Sequence, residues 1–366
     1  KQRLLRLTQI KFVRDSAILQ VGNAVTIASL VLTSVVVVRG LDSEAFGVYR
    51  LAVALYGTLV ALDLTGLGLS TIVRLASALA SLGLVTAAVF GGRGPGGVIA
   101  ARLAASALLS VYAVAYYARV RGRLNPALPG WGAVMRRAAG VSVRRYWGFG
   151  FSIALDKNIS NLFTLLPLQV LGSLHGAEIA GFLSLAQSAV SIPSSMFDTV
   201  MHNLGVRLPQ DRGRGDYAAM WRNYARVTAT LAAGGVVIFG AFALVAPWLV
   251  PFLYEEKSLP AVPLVGVMSV YGAIAAAGGS VSALYRTLER VRWALAAKVA
   301  ALVLLAMPGY WLIREHAAPG AAWTTTALLA VSTAATAALV LPYLRRLATR
   351  TAAPARAPED EGQAGA

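Results

Sequence analysis

The strongest constraint on this chain is the length of its apolar runs. Runs of membrane-spanning length lie near residues 17–38, 48–70, 75–91, 97–117, 148–172, 177–199, 227–250, 262–284, 293–313 and 320–343. A hydrocarbon core of ~30 Å needs about 20 helical residues at ~1.5 Å each. The run at 75–91 is the shortest and sits at the lower limit for crossing. Charged residues make up only 13% of the chain, against about 25% in an ordinary soluble domain. The apolar residues come in blocks, not in periodic stripes, which reads as membrane helices. The fold class expected is therefore an all-α membrane protein with about ten transmembrane helices.

Charge placement gives the orientation. With ten alternating spans and both termini cytoplasmic, the cytoplasmic stretches and their flanks carry 26 of the 33 basic residues. That tally places Lys298 with the cytoplasmic flank. The outer stretches and their flanks carry Arg39, Arg50 (at the start of the second span), Arg93, Lys257 and Arg314. Arg102 and Lys157 fall inside spans. This asymmetry is what the positive-inside rule produces. It also accounts for the net charge of +17 without a nucleic-acid partner. The expected location is the cytoplasmic (inner) membrane. Trp147, Trp248, Tyr254, Tyr310, Trp311, Trp323 and Tyr343 fall at span ends, as an aromatic belt does.

The chain contains no cysteine, so disulfides and thiolate metal sites are excluded. His175, His202 and His316 form no ligand pattern, and no cofactor is expected. Residues 1–14 mix Lys1, Arg3, Arg6, Lys11 and Arg14 with apolar residues, the pattern of an interfacial helix or a basic flank. The run Gly91-Gly92-Arg93-Gly94-Pro95-Gly96-Gly97 lacks the Gly-Lys-Ser/Thr of a phosphate loop and reads as a turn. The organisation expected is a basic segment 1–14, an N-terminal bundle 15–147 with a basic linker 118–147, a C-terminal bundle 148–346, and a disordered polar tail 347–366.

An internal repeat divides the spans. Glu44-Ala45-Phe46-Gly47-Val48-Tyr49-Arg50-Leu51-Ala52 precedes the second span. Glu178-Ile179-Ala180-Gly181-Phe182-Leu183-Ser184-Leu185-Ala186 precedes the sixth. At one fixed offset, Glu44, Gly47, Leu51 and Ala52 match Glu178, Gly181, Leu185 and Ala186. Both segments read as outer loops entering the second span of a half. Repeats of like orientation imply two bundles related by an axis along the membrane normal, with a pathway between them. The halves hold four and six spans.

These segments carry a resemblance. The stretch RGLDSEAFGVYRLAVAL (39–55) followed by LDLTGLGLSTIVRLA (62–76) resembles the N-terminal signature of polysaccharide flippases. Those are the O-antigen and lipid-linked oligosaccharide exporters of the multidrug/oligosaccharidyl-lipid/polysaccharide superfamily. GAEIAGFLSLAQSAVSIPSSMFDTVMHNLGVRLPQ (176–210) and APWLVPFLYEEKSLPAVPLVGVMSV (246–270) resemble parts of the second half of that family. The family usually has twelve or fourteen spans, so this chain is shortened in its first half.

The resemblance implies translocation of a lipid-linked oligosaccharide by alternating access, with no covalent chemistry. It implies a lipid-linked glycan as substrate, anionic lipids around the basic loops, and a glycan polymerase or glycosyltransferases as partners. The candidate residues are then the polar groups inside spans, since each is costly there. Asp156, Lys157, Asn158 and Asn161 form the richest cluster, near the midplane of the fifth span. The paired alternative is that Asp156 and Lys157 only neutralise each other or neighbours. Arg102 and Asn23 are further candidates for the substrate pathway. Asp63 and Asp198 are candidates for ion coupling, or else contacts at helix ends. Pro167 and Pro193 mark expected kinks. A drug/cation antiporter or a cell-wall-precursor flippase of the same superfamily remains an alternative, as does a non-transporting scaffold. A membrane glycosyltransferase is disfavoured, because the outer loops are short.

Overall fold

A computed structural model of the chain describes residues 25, 28, 29, 31–60, 71–123, 132, 133, 136 and 143–352. The elements are α1 (Val31–Gly40), α2 (Ser43–Val60), α3 (Thr71–Phe90), α4 (Gly94–Arg123), α5 (Val143–His175), α6 (Ala177–Gly213), α7 (Tyr217–Tyr254), a 3-10 turn (Glu256–Ala261), α8 (Val262–Thr287) and α9 (Val291–Ala352). No strand occurs among the described residues. The protein is an all-α membrane protein.

Each expected span coincides with a helix or helix arm, the first two over their described parts. The long α9 holds two of them. Its helix breaks at Ala317, which has φ 48° and ψ −126°. Two residues later Pro319 starts a second arm, a position where its missing N–H costs nothing. The arms fold back on each other. A Cβ at Gly320 would lie 2.1 Å from the Leu312 carbonyl oxygen, so only glycine permits that approach. By contrast α5 and α6 remain helical through Pro167 and Pro193. The glycine run is a turn, as expected, with Gly92 and Gly94 at positive φ.

Local chemistry moves the helix starts outward from the hydropathy boundaries. Asp42 accepts a hydrogen bond from Ala45 N–H at 2.7 Å, so α2 begins at Ser43. Gly176, with φ 93°, reverses the chain between α5 and α6. Both repeat segments are therefore the opening turns of helices rather than loops. Asp216 caps α7 in the same way as Asp42 caps α2.

Three described segments are long and apolar enough to cross a membrane by length and composition: Tyr217–Tyr254, Glu256–Thr287 and Val291–Thr349. Their outward faces carry Val236, Val237, Leu244, Trp248, Phe252, Val303, Leu304, Met307 and Trp311, all exposed. A soluble protein does not display such a continuous apolar surface; a lipid solvent accounts for it. Tyr254 departs from the expected aromatic belt and is fully buried.

Packing brings the charged loops to one end. The Arg212 guanidinium, at the end of α6, donates to Glu289 Oε1 at 2.9 Å. Arg290 lies over both Trp293 and Tyr343, 4.6 Å from each ring. Arg345 lies 4.8 Å over Trp221. The ends of α6, α8 and α9 and the starts of α7 and α9 thus meet at a basic end of the bundle. In the first half α3 packs on α4, and α4 on α2; α2 then joins the second half through α5 and α6. Gly47 sits against the start of α6, where an added Cβ would lie 1.9 Å from the Ala177 carbonyl oxygen.

Candidate functional site

Two arginines and a row of hydroxyls define a cavity between the halves, towards the end opposite the basic one. Arg50 is the eighth residue of α2, and Arg102 the ninth of α4, so both are roughly 10–12 Å inside their helices at ~1.5 Å per residue. On α6, Ser184, Ser188, Ser191 and Ser195 follow i, i+4, i+7 and i+11 spacing, which places them on one helix face. Arg50 Nε donates to Ser184 Oγ. Arg50 Nη2 donates to Ser188 Oγ at 2.9 Å and to the Ser184 carbonyl at 3.3 Å. The Arg102 guanidinium lies 5.6 Å over the Tyr49 ring.

The cavity measures about 140 Å³ and is lined by both arginines, by Thr33, Ser34, Tyr49 and Tyr254, and by Ser188, Ser191 and Ser195. At ~30 Å³ per water it has room for about four waters or one phosphate-sized group. Two polar atoms at its wall are buried without a partner, Tyr49 Oη and Arg102 Nε. Among the described residues no aspartate or glutamate lines it. Two guanidiniums without a carboxylate in a low-dielectric site favour an anion, and their forked donors suit phosphate or carboxylate oxygens.

The opposite end of the bundle seals over this cavity. Arg39, at the end of α1, donates to the carbonyls of Phe252 and Leu253 at 2.9 and 3.0 Å. Lys257 donates to the Leu41 carbonyl at 3.0 Å. Ser34 Oγ and Tyr254 Oη lie 3.4 Å apart beneath them.

A second polar centre forms around Asp156, which is fully buried. Lys298 Nζ, on α9, lies 2.5 Å from Asp156 Oδ1. Tyr285 Oη donates to Asp156 Oδ2 at 2.7 Å, and Arg286 reaches the same oxygen at 3.4 Å. Asp156 therefore pairs with Lys298, not with its neighbour Lys157. Successive residues of a helix point ~100° apart, and Lys157 is on an exposed face of α5. Asn158 is buried and Asn161 exposed. The centre lies level with the last turn of α8, which carries Tyr285 and Arg286.

The remaining expected residues separate. Arg102 lines the cavity. Asp198 is exposed on α6, one helical turn beyond the cavity-lining Ser195. Asn23 and Asp63 lie outside the described residues. Sequence reading missed Arg50 and Lys298, which it counted as flanking charges. It also missed Tyr285 and the α6 serines. The serine spacing and the repeat, which aligns Arg50 with Ser184, were signals for the first centre.

No family model matches the chain, and no curated protein matches it. Solved structures do. A eukaryotic MATE transporter, AtDTX14, aligns with a TM-score of 0.53 at 15% identity, over 90% of this chain and 87% of that one. An outward-facing multidrug resistance MATE family transporter of the MOP superfamily aligns with a TM-score of 0.48 at 13% identity, over 90% and 86% of the two chains. A MATE protein in complex with MaL6 aligns with a TM-score of 0.49, also at 13% identity and over 90% and 86%. At such identity the likeness is one of fold: this all-α membrane protein shares the architecture of the MATE transporter AtDTX14 along nearly its whole length.

Proposed function

We propose that the protein is a membrane transporter that moves a lipid-linked oligosaccharide across the cytoplasmic membrane by alternating access. The observation that carries this reading is the Arg50–Arg102 cavity, which has serine and tyrosine hydroxyls but no described carboxylate. A pyrophosphate linkage offers the anionic oxygens that two guanidiniums select, and the hydroxyls suit the sugar beside it. The present cavity admits only a phosphate-sized piece, so the glycan requires the halves to part. The reading carries with it the partners expected of such an exporter: the enzymes that build or polymerise the glycan, and anionic lipids at the basic end.

The fold likeness to MATE transporters supports a second reading, export of cationic drugs. A cation needs acidic groups in its path, and the cavity wall described here supplies cationic ones. Reconstitution into proteoliposomes separates the two. The first reading expects movement of a pyrophosphate-linked glycolipid that is lost in Arg102→Ala, with no movement of a cationic dye. Dye export that survives Arg102→Ala, without glycolipid movement, overturns it.

A further inference from the structure

The ammonium of Lys298 sits in a cage of oxygens. Asp156 Oδ1 lies at 2.5 Å, Ser160 Oγ at 2.8 Å, Tyr285 Oη at 3.3 Å and the Asp156 carbonyl at 3.4 Å. One carboxylate oxygen, two hydroxyls and one main-chain carbonyl are the ligand types that hold a hard cation. The other carboxylate oxygen, Oδ2, is already engaged by Tyr285 Oη and Arg286. Oδ1 is thus left to the ammonium. The cage is drawn from three helices: Asp156 and Ser160 from α5, Tyr285 from α8 and Lys298 from α9. Asp156 has no exposed surface, and the Lys298 side chain keeps only 12%. Arg286 remains 44% exposed and marks the side from which a small ion would enter.

We propose that Lys298 is a tethered counter-cation filling a site whose oxygens suit a free monovalent cation such as sodium. A buried carboxylate needs a positive partner. Here that partner is covalently part of the chain, so α5, α8 and α9 stay tied together whatever ions are present. Removing the amine while keeping the oxygens converts the place of the ammonium into an ion site. This inference goes beyond the export reading and stands without it.

The test is thermal unfolding of the detergent-purified full chain, titrated with sodium, potassium, methylammonium or choline chloride at constant ionic strength. Wild type is expected to respond alike to all four. Lys298→Ala is expected to start lower and to show a saturable rise in Tm, on the order of 2–4 °C, with sodium, potassium or methylammonium but not with choline. The double variant Asp156→Ala/Lys298→Ala is expected to show no such rise. A saturable sodium response in wild type overturns the proposal, and so does a Lys298→Ala protein that treats sodium and choline alike. If Lys298→Ala is too unstable to purify, its monodisperse yield becomes the readout. Recovery in sodium buffers alone supports the cage as an ion site. Failure in sodium and choline alike overturns it.

Discussion

Gly47 and Gly181 stand face to face where the two halves meet, and they occupy the same place in the internal repeat. A Cβ on Gly181 would lie 3.1 Å from the Gly47 Cα. The next turn of each repeat segment also meets its counterpart, because Arg50 bonds to Ser184 at a separation of 134 residues. Residues related by a two-fold touch their own equivalents only close to the axis. The axis inferred from the repeat therefore runs along the α2–α6 contact, and the Arg50 cavity opens beside it.

This contact makes an asymmetric prediction. Gly47→Ala puts a methyl group 1.9 Å from the main-chain oxygen of Ala177, which cannot swing aside. Overpacking of this kind costs about 1–3 kcal/mol. The change happens in a helix, where alanine is intrinsically favoured over glycine by about 1 kcal/mol. A lower Tm for Gly47→Ala in detergent would thus be read against the propensity, not with it. Gly181→Ala meets its nearest atom at 3.1 Å and should lose less. Equal losses would place the close approach elsewhere.

The cavity arginines differ in what their loss should do. Arg102 Nε has no partner, so Arg102→Ala should leave stability within about 1 kcal/mol of wild type. Binding of inorganic phosphate should weaken by about 1.5–3 kcal/mol, the worth of hydrogen bonds to a charged group. Calorimetry reads both quantities. Arg102→Lys keeps the charge but not the planar fork, so its affinity should fall between the two. Phosphate binding that is indifferent to Arg102 would remove the cavity from the proposed pathway.

Asp156 and Lys298 should behave as one unit. Asp156→Asn leaves an ammonium buried against an amide, and breaking a buried pair costs on the order of 3–5 kcal/mol. Lys298→Met leaves the carboxylate with Arg286 and Tyr285 alone. The double variant Asp156→Asn/Lys298→Met removes both charges and should recover most of the loss. A double-mutant cycle on Tm or denaturant midpoints measures that coupling. Additive single losses would mean that the pair is a contact of little consequence.

The helices were legible in the sequence because membrane length and low charge are local properties. Caps refined them: Asp42 explains why α2 opens at Ser43. The positions of Arg50 and Lys298 were not legible for the same reason that made the spans visible. Both lie near the ends of hydropathy spans, at 48–70 and 293–313, where a charge reads as part of the flank, so both were counted there. What admits them is tertiary: Ser184 and Ser188 for Arg50, and Asp156, Ser160 and Tyr285 for Lys298. None of those partners lies within a helical turn of the arginine or the lysine. The likeness of the two repeat segments was readable, but their contact across an axis was not, because similarity alone does not say which equivalent residues touch.

The seal over the cavity gives the last prediction. Arg39 and Lys257 tie α1 and its following turn to the end of α7 by donating to main-chain carbonyls. Arg39 also meets α7 where its last carbonyls are otherwise unpaired, a favourable place for a cation. Both side chains are accessible, so each tie is worth about 1 kcal/mol or less. That is small enough for the halves to part during a transport cycle. The chain lacks cysteine, so Ser34→Cys introduces a single reporter beneath the seal. A membrane-impermeant maleimide added outside sealed cells should label it slowly. Adding Arg39→Ala and Lys257→Ala should remove both ties and raise the rate by roughly 10-fold, the factor that ~1.4 kcal/mol represents. Fast labelling in the Ser34→Cys protein with both ties intact would show that the halves stand open on that side. Labelling only from the cytoplasmic side would reverse the orientation inferred from the basic loops.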